Sequence, residues 1–289
     1  MHFHRLALIG CGLIGGSFAL GLKEKNLVSH VVGFSASEFS KDKALELGVI
    51  DSKAASMSDA IEGSDLVLVA VPVNAVEACL LDMKAHLSPQ ALVMDVGSTK
   101  SDISRQGERI LGTRAHQFVP AHPIAGKELS GVEHATAQLF NKHKTVLTPI
   151  SANQAPHIDL AREVWESLGS EVLCMSPEEH DKALAGISHL PHFIAFAAVN
   201  ALNSQAERDT FWQLAGPGFR DFSRIAASSP SVWRDIFLSN PDEIRLQLKA
   251  FQNALQELDS ALLSPEPSAE LERLIEAASS ARKAWSHNA

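Results

Sequence analysis

Cysteine is scarce in this chain: Cys11, Cys79 and Cys174 are the only three in 289 residues. They are odd in number, widely spaced and free of any C-x-x-C pattern, which excludes a disulfide framework and a cysteine zinc site. A reducing cytoplasm is the expected compartment. Basic clusters are missing too: with 25 Lys and Arg against 34 Asp and Glu, the net charge is −9. No nucleic-acid surface is expected, and an anionic substrate would need local basic residues. No apolar run approaches the length of a membrane span, so no membrane partner is expected. The first strand begins almost at once, so neither a signal peptide nor a domain ahead of it is expected. Tyrosine is absent altogether. Internal repeats and low-complexity segments are absent as well.

What remains is an ordinary globular composition, 45% hydrophobic and 20% charged, long enough for about two domains. The chain is organised around one stretch, Leu6-Ala-Leu-Ile-Gly10-Cys-Gly12-Leu-Ile-Gly15-Gly-Ser17. A short apolar run enters G-x-G-x-x-G and continues into Phe18–Lys23 at helical spacing, so the motif has strand, turn and helix around it. In that setting Gly10 permits the tight turn, Gly12 lets a pyrophosphate approach the backbone, and Gly15 lets the helix pack on its strand. The helix start at Leu13 and Ile14 offers unpaired N–H groups and a positive dipole end to phosphates. The pattern points to a dinucleotide cofactor.

Val31–Ser35 reads as the second strand. Its end is where an Asp or Glu would accept from a ribose 2′-hydroxyl and select NAD. The positions read Ser35-Ala36-Ser37. The missing carboxylate tilts the reading slightly from NAD toward NADP, although Lys41 and Lys43 stand far along the next helix. Asp65–Pro72 and Ala91–Ser98 read as further buried strands of a parallel sheet, with Val71, Pro72 and Ser98 at carboxyl ends that face the cofactor crevice. Gln117–Pro123 reads as a fifth strand ending at His122, and Lys144–Pro149 and Glu171–Met175 as two more. From Glu178 only helical periodicity is found, including a stripe of Ile244, Leu248, Phe251, Leu255, Leu258 and Leu262. The expected fold is an α/β Rossmann-type domain over 1–176 followed by an all-α domain over 177–289. A homodimer through the helical domain is expected.

The motifs together resemble the prephenate and arogenate dehydrogenases of tyrosine biosynthesis over nearly the whole chain. The resemblance rests on Gly10–Ser17, Asp95-Val-Gly-Ser98, His122-Pro-Ile-Ala-Gly126 with Glu128, Ser188-His-Leu-Pro-His192, Gly218-Phe-Arg-Asp-Phe-Ser-Arg-Ile-Ala226 and Trp233-Arg-Asp-Ile-Phe237. It implies oxidative decarboxylation of a cyclohexadienol small-molecule substrate, with hydride leaving ring C4 for the nicotinamide. By resemblance His122 accepts the C4-hydroxyl proton and Ser98 hydrogen-bonds near that hydroxyl and the nicotinamide. Arg224 holds a substrate carboxylate, with Asp221 orienting it and Arg220 competing for the role. Ser188, His189 and His192 face the substrate, Glu128 is a gate, and Trp233 is a wall against the ring. The His189/His192 spacing could begin a metal site, but no Cys or H-E-x-x-H pattern supports one, and none is expected.

Prephenate is the first substrate reading; arogenate, or dual cyclohexadienyl specificity, stays open beside it. A 3-hydroxyacid dehydrogenase would be expected to place a lysine where Gly186-Ile-Ser-His-Leu-Pro-His192 stands. A non-catalytic dinucleotide sensor would leave His122, Ser98 and Arg224 as coincidences.

Overall fold

The structure is a computed structural model that describes residues 1–126 and 129–286. It divides into two compact units, Met1–Asn240 and Pro241–Ala289. The first unit opens with β1 (Phe3–Ile9), α1 (Leu13–Glu24), β2 (Val28–Phe34), α2 (Glu38–Glu46), the two-residue β3 (Ser52–Lys53), α3 (Met57–Ile61), β4 (Leu66–Val69), α4 (Val76–Met83), β5 (Leu92–Asp95) and α5 (Ser101–Leu111). The strands form one parallel sheet in the order β3-β2-β1-β4-β5. Its strands are apolar because both faces are covered. Leu6 and Leu8 enter one core while Ala7 and Ile9 enter the other, as a period of two requires.

The order reverses at β1, whose neighbours are β2 on one side and β4 on the other. Such a switch point opens a crevice at the carboxyl ends of the strands, and the glycine motif lies directly beyond β1. Gly10 has φ +101°, and a Cβ there would lie 2.2 Å from the Ala70 carbonyl oxygen just past β4. Only glycine fits the turn.

The segment expected as a fifth strand does not extend that sheet. Phe118 makes one isolated bridge to Val93, and the chain then leaves. The reason is Pro120, which has no N–H to give a continuing ladder. The residues beyond it, β6 (Ala121–Pro123), pair antiparallel with β7 (Lys144–Leu147), which pairs parallel with β8 (Glu171–Cys174) across α6 (Ala155–Ser167). Ala121 and Pro123 are buried on one face of this small sheet. His122, between them and opposite Val146, points to the other.

After β8 the structure is helical. Ser176 and Glu179 form a reciprocal capping box that starts α7 (Pro177–Leu184). A π-helical turn over Ala185–His189 joins α7 to α8 (Leu190–Asn203). Pro191 cannot donate to the ladder, and the widened turn before it absorbs the defect without ending the helix. The continuous helix Pro177–Asn203 is, by length and composition, long and apolar enough to cross a membrane. This corrects the expectation that no run approaches that length, because the π-turn carries the helix through Gly186 and Pro191. Its polar members His180, Asp181 and His189 are buried in protein. Short helices α9 (Arg208–Leu214), α10 (Pro217–Ser223) and α11 (Pro230–Ser239) complete the unit.

The second unit consists of α12 (Pro241–Leu262) and α13 (Pro267–Ser286). The expected apolar stripe lies on α12, but only Ile244 is buried; Leu255, Leu258 and Leu262 are exposed.

Candidate active site

A cavity of about 500 Å³ lies at the switch point of the large sheet. Gly12, Leu13 and Ile14 form one side, Val71 and Pro72 another, and Gly97 and Ser98 a third. The start of α1 fits a dinucleotide. Its N-cap is Gly12, no side chain caps it, no acid stands in its first turn, and a Cβ on Gly12 would meet nothing within 4 Å. Backbone N–H groups and a positive dipole end therefore face open space. Gly15 acts differently, since a Cβ there would lie 2.4 Å from the Gly10 carbonyl oxygen; it sets how closely helix and turn pack.

Ser35 lies just past β2 and is not among the residues lining this cavity. Ser37 is committed to α2, accepting from the Ser40 N–H at 3.2 Å. Lys41 stands on α2 close to the end of β2. Its side chain folds back and is almost fully buried, with Nζ 5.5 Å from the ring centre of Phe34, the last residue of β2, and 2.6 Å from Glu38. Lys43 instead pairs with Glu46.

A second cavity, about 890 Å³, shares Gly126, Leu129, Ser228 and Trp233 with the first. His122 from β6 lines it, as do Ser188 and His192 from the π-turn and α8, and Arg224 just past α10. Residues from the sheet half and the helical half thus meet across one space. Trp233 of α11 stacks on His192 with ring centres 3.5 Å apart and planes 21° apart. His192 Nδ1 lies 2.9 Å from the Ser188 carbonyl oxygen. A carbonyl only accepts, so Nδ1 carries the proton and Nε2 is left as an acceptor. Burial holds the His192 pKa below the usual histidine value.

Two expected substrate contacts are not in the cavity wall. His189 is 1% exposed and turned inward, with its Nδ1 3.4 Å from Asn240 Nδ2. Ser188 and His192, four residues apart, share the face that meets the cavity, and His189, next to Ser188, points to another. Burial lowers its pKa to about 4, so it is neutral near pH 7. Asp221 is exposed and lines neither cavity. Glu128 lies outside the described residues.

Behind His122 stands a set of polar groups that none of the sequence motifs includes in full. His122 Nδ1 lies 2.8 Å from His180 Nε2, and His180 Nδ1 lies 2.8 Å from Asp181 Oδ1. Asp181 also accepts from the backbone N–H groups of Lys100 at 2.7 Å and Ser101 at 2.8 Å, at the entry to α5. Burial alone would raise the Asp181 pKa, but the hydrogen bonds from His180, Ser101 and Lys100 outweigh it and hold the carboxyl below its usual value. Lys100 is fully buried and donates to Asp95 and to the Ala121 carbonyl oxygen, tying β5 to β6 one residue before His122. Burial lowers the Lys100 pKa against the attraction of Asp95. His122 itself is pushed well below the usual histidine value, by burial first and then by its neighbours His180, Lys100 and His189. It is therefore a neutral imidazole near pH 7. The signal for this set is Asp95, an acid ending the otherwise apolar strand Leu92-Val-Met, because a buried carboxylate must find donors.

The sequence model described as prephenate dehydrogenase, nucleotide-binding domain, matches residues 18–174, and that described as prephenate dehydrogenase, dimerization domain, matches 176–277. The prephenate dehydrogenase of Bacillus subtilis is 36% identical over 88% of this chain and 68% of its own length. The cyclohexadienyl dehydrogenase of Zymomonas mobilis is 34% identical over 91% of this chain and 89% of its own. Among solved structures, prephenate dehydrogenase from Aquifex aeolicus, in complex with hydroxyphenyl propionate and NAD+, superposes with a TM-score of 0.90 at 35% identity, covering 98% of each chain. With a glycine cradle at a sheet switch point and an imidazole and a guanidinium facing one adjoining cavity, this chain belongs to the prephenate and arogenate dehydrogenase family of NAD(P)-dependent oxidoreductases.

Proposed function

We propose that the chain converts prephenate to 4-hydroxyphenylpyruvate and CO2, with NADP as the preferred hydride acceptor. The observation that carries this reading is that His122 and Arg224 line the same cavity, which adjoins the dinucleotide cradle. The bound nicotinamide supplies the acceptor for hydride from ring C4. His122, a neutral base, takes the C4-hydroxyl proton as hydride departs, and it returns a proton to the phenolic oxygen once CO2 has left and the ring is aromatic. Ser98, on the cofactor side, orients that hydroxyl. Arg224 holds the side-chain carboxylate, a geometry that guanidinium matches with two parallel hydrogen bonds. Trp233 and His192 form the stacked wall against the ring. Residues 1–176 are assigned to the dinucleotide, and 177–289 to substrate and assembly.

The NADP preference is supported by the absence of a carboxylate at Ser35-Ala36-Ser37; the Lys41 ammonium folded over the end of β2 is already paired with Glu38. Arogenate is the second reading, favoured by the acceptor Nε2 of His192, which suits a substrate ammonium better than a keto oxygen. Turnover of each substrate with NADP+ and with NAD+, followed by absorbance of the reduced nicotinamide, tests all of this. Prephenate with NADP+ should give the highest kcat/KM. Absence of turnover with either substrate would end the reading, and a large preference for NAD+ would end its cofactor half.

A homodimer through the helical region is proposed as well. Exposed Leu255, Leu258 and Leu262 on α12 give a continuous apolar face that a second copy would cover. Sedimentation should report twice the chain mass of 31.1 kDa; a monomer at micromolar concentration would contradict it.

A further inference from the structure

We propose that Asp181, acting through His180, fixes which nitrogen of His122 faces the substrate, making His180 and Asp181 positioning residues for the base. The inference rests on the proposed role of His122 and goes beyond it. Donors and acceptors can be counted outward from the carboxylate. Asp181 is ionised and accepts from two backbone N–H groups, so the ring nitrogen it meets, His180 Nδ1, carries a proton. His180 lies fully buried, and burial above all lowers its pKa; a neutral ring has one proton, so its Nε2 is bare. That bare nitrogen is 2.8 Å from His122 Nδ1, which must then be the donor. His122 is neutral in its turn, which leaves Nε2 unprotonated. A lone pair is therefore presented to the cavity before substrate arrives.

The alternative tautomer is closed off. If His122 Nδ1 were bare, His180 Nε2 would have to donate, and His180 Nδ1 would confront a carboxylate with a lone pair. The anion at the far end thus selects the catalytically competent form of a ring that it reaches only through His180. It also balances the positive charge that arises on His122 when the substrate proton arrives. Among the described residues, the other titratable groups around His122 do not supply this. Lys100 can bring only positive charge to its buried side, His189 is neutral, and Asp95 is engaged with Lys100 and the Gly97 and Ala121 N–H groups. On the cavity side stand Arg224 and His192.

The test has a spectroscopic and a kinetic arm. In wild-type protein labelled with 15N-histidine at pH 7.5, the His122 resonances, identified by their loss in His122→Asn, should show Nδ1 protonated and Nε2 bare. The reverse pattern, or a mixture of both forms, would overturn the proposal without any variant having to fold. Kinetically, Asp181→Asn should lower kcat more than tenfold while leaving KM for both substrates within about twofold. Because it removes the anion that favours a cationic His122, it should also move the acidic limb of the kcat/KM profile to lower pH. His180→Gln can donate its amide N–H to Asp181 and accept from His122 Nδ1, so it should retain at least tenfold more kcat than His180→Leu. Equal rates in the two variants, or an unchanged limb in Asp181→Asn, would overturn the relay. Near-wild-type turnover by His122→Asn would instead remove the base reading on which the relay stands.

Discussion

His122→Asn is expected to lower kcat by about 10²–10⁴-fold, the range that a positioned general base contributes, while dinucleotide binding stays within about twofold. The asymmetry follows from placement. The side chain faces the larger cavity from β6, whereas the glycine turn, the start of α1 and the strand ends at Val71 and Ser98 line the other. An amide keeps the ring's polarity and can still meet His180, but it has no lone pair basic enough to take a hydroxyl proton at neutral pH. Stopped-flow measurement of reduced nicotinamide, beside equilibrium binding of NADP+, separates the two effects. The pH dependence has a definite sign. The competent form is the unprotonated ring, present above the His122 pKa and lost as pH falls through it. Because burial and neighbouring groups depress that pKa, the wild-type acidic limb should lie below the usual histidine range.

Arg224→Ala is expected to raise KM for prephenate about 10- to 100-fold and to change kcat far less. A hydrogen bond to a charged group is worth about 1.5–3 kcal/mol, and each 1.4 kcal/mol is tenfold in affinity. Arg224 is itself exposed at the cavity mouth, so water screens part of the attraction and the lower half of that range is favoured. Lysine at the same place keeps the charge but loses the planar fork, so Arg224→Lys should recover only part of the loss. Initial-rate kinetics at saturating NADP+ read both variants. An unchanged KM in Arg224→Ala would remove the carboxylate assignment.

The large sheet was legible because local and long-range requirements coincide there. Apolar runs such as Leu66–Val69 are strands covered on both faces, and Gly10 is the residue its turn demands. The cavity-lining His122, Ser98, Arg224, Ser188, His192 and Trp233 were legible only through the resemblance, since nothing local distinguishes His122 from a histidine tied to backbone. What escaped depended on backbone irregularity and on distant partners. Pro120 diverts a segment of strand composition to another sheet. His189 is buried away from the cavity, while His192, four residues from Ser188, lines it. His180-Asp181 reads in sequence as polar residues near a helix start, and only the fold brings them behind β6.

The proposed chemistry requires one molecule to be held at both ends, by imidazole and by guanidinium. A crystal structure of this chain with NADP+ and hydroxyphenyl propionate, which carries a ring hydroxyl and a side-chain carboxylate, addresses that directly. The expected complex has the hydroxyl within about 2.6–3.2 Å of His122 Nε2, the carboxylate on Arg224 and the nicotinamide beside the ring. A ring hydroxyl turned away from His122, or a ligand seated without contact to Arg224, would contradict it.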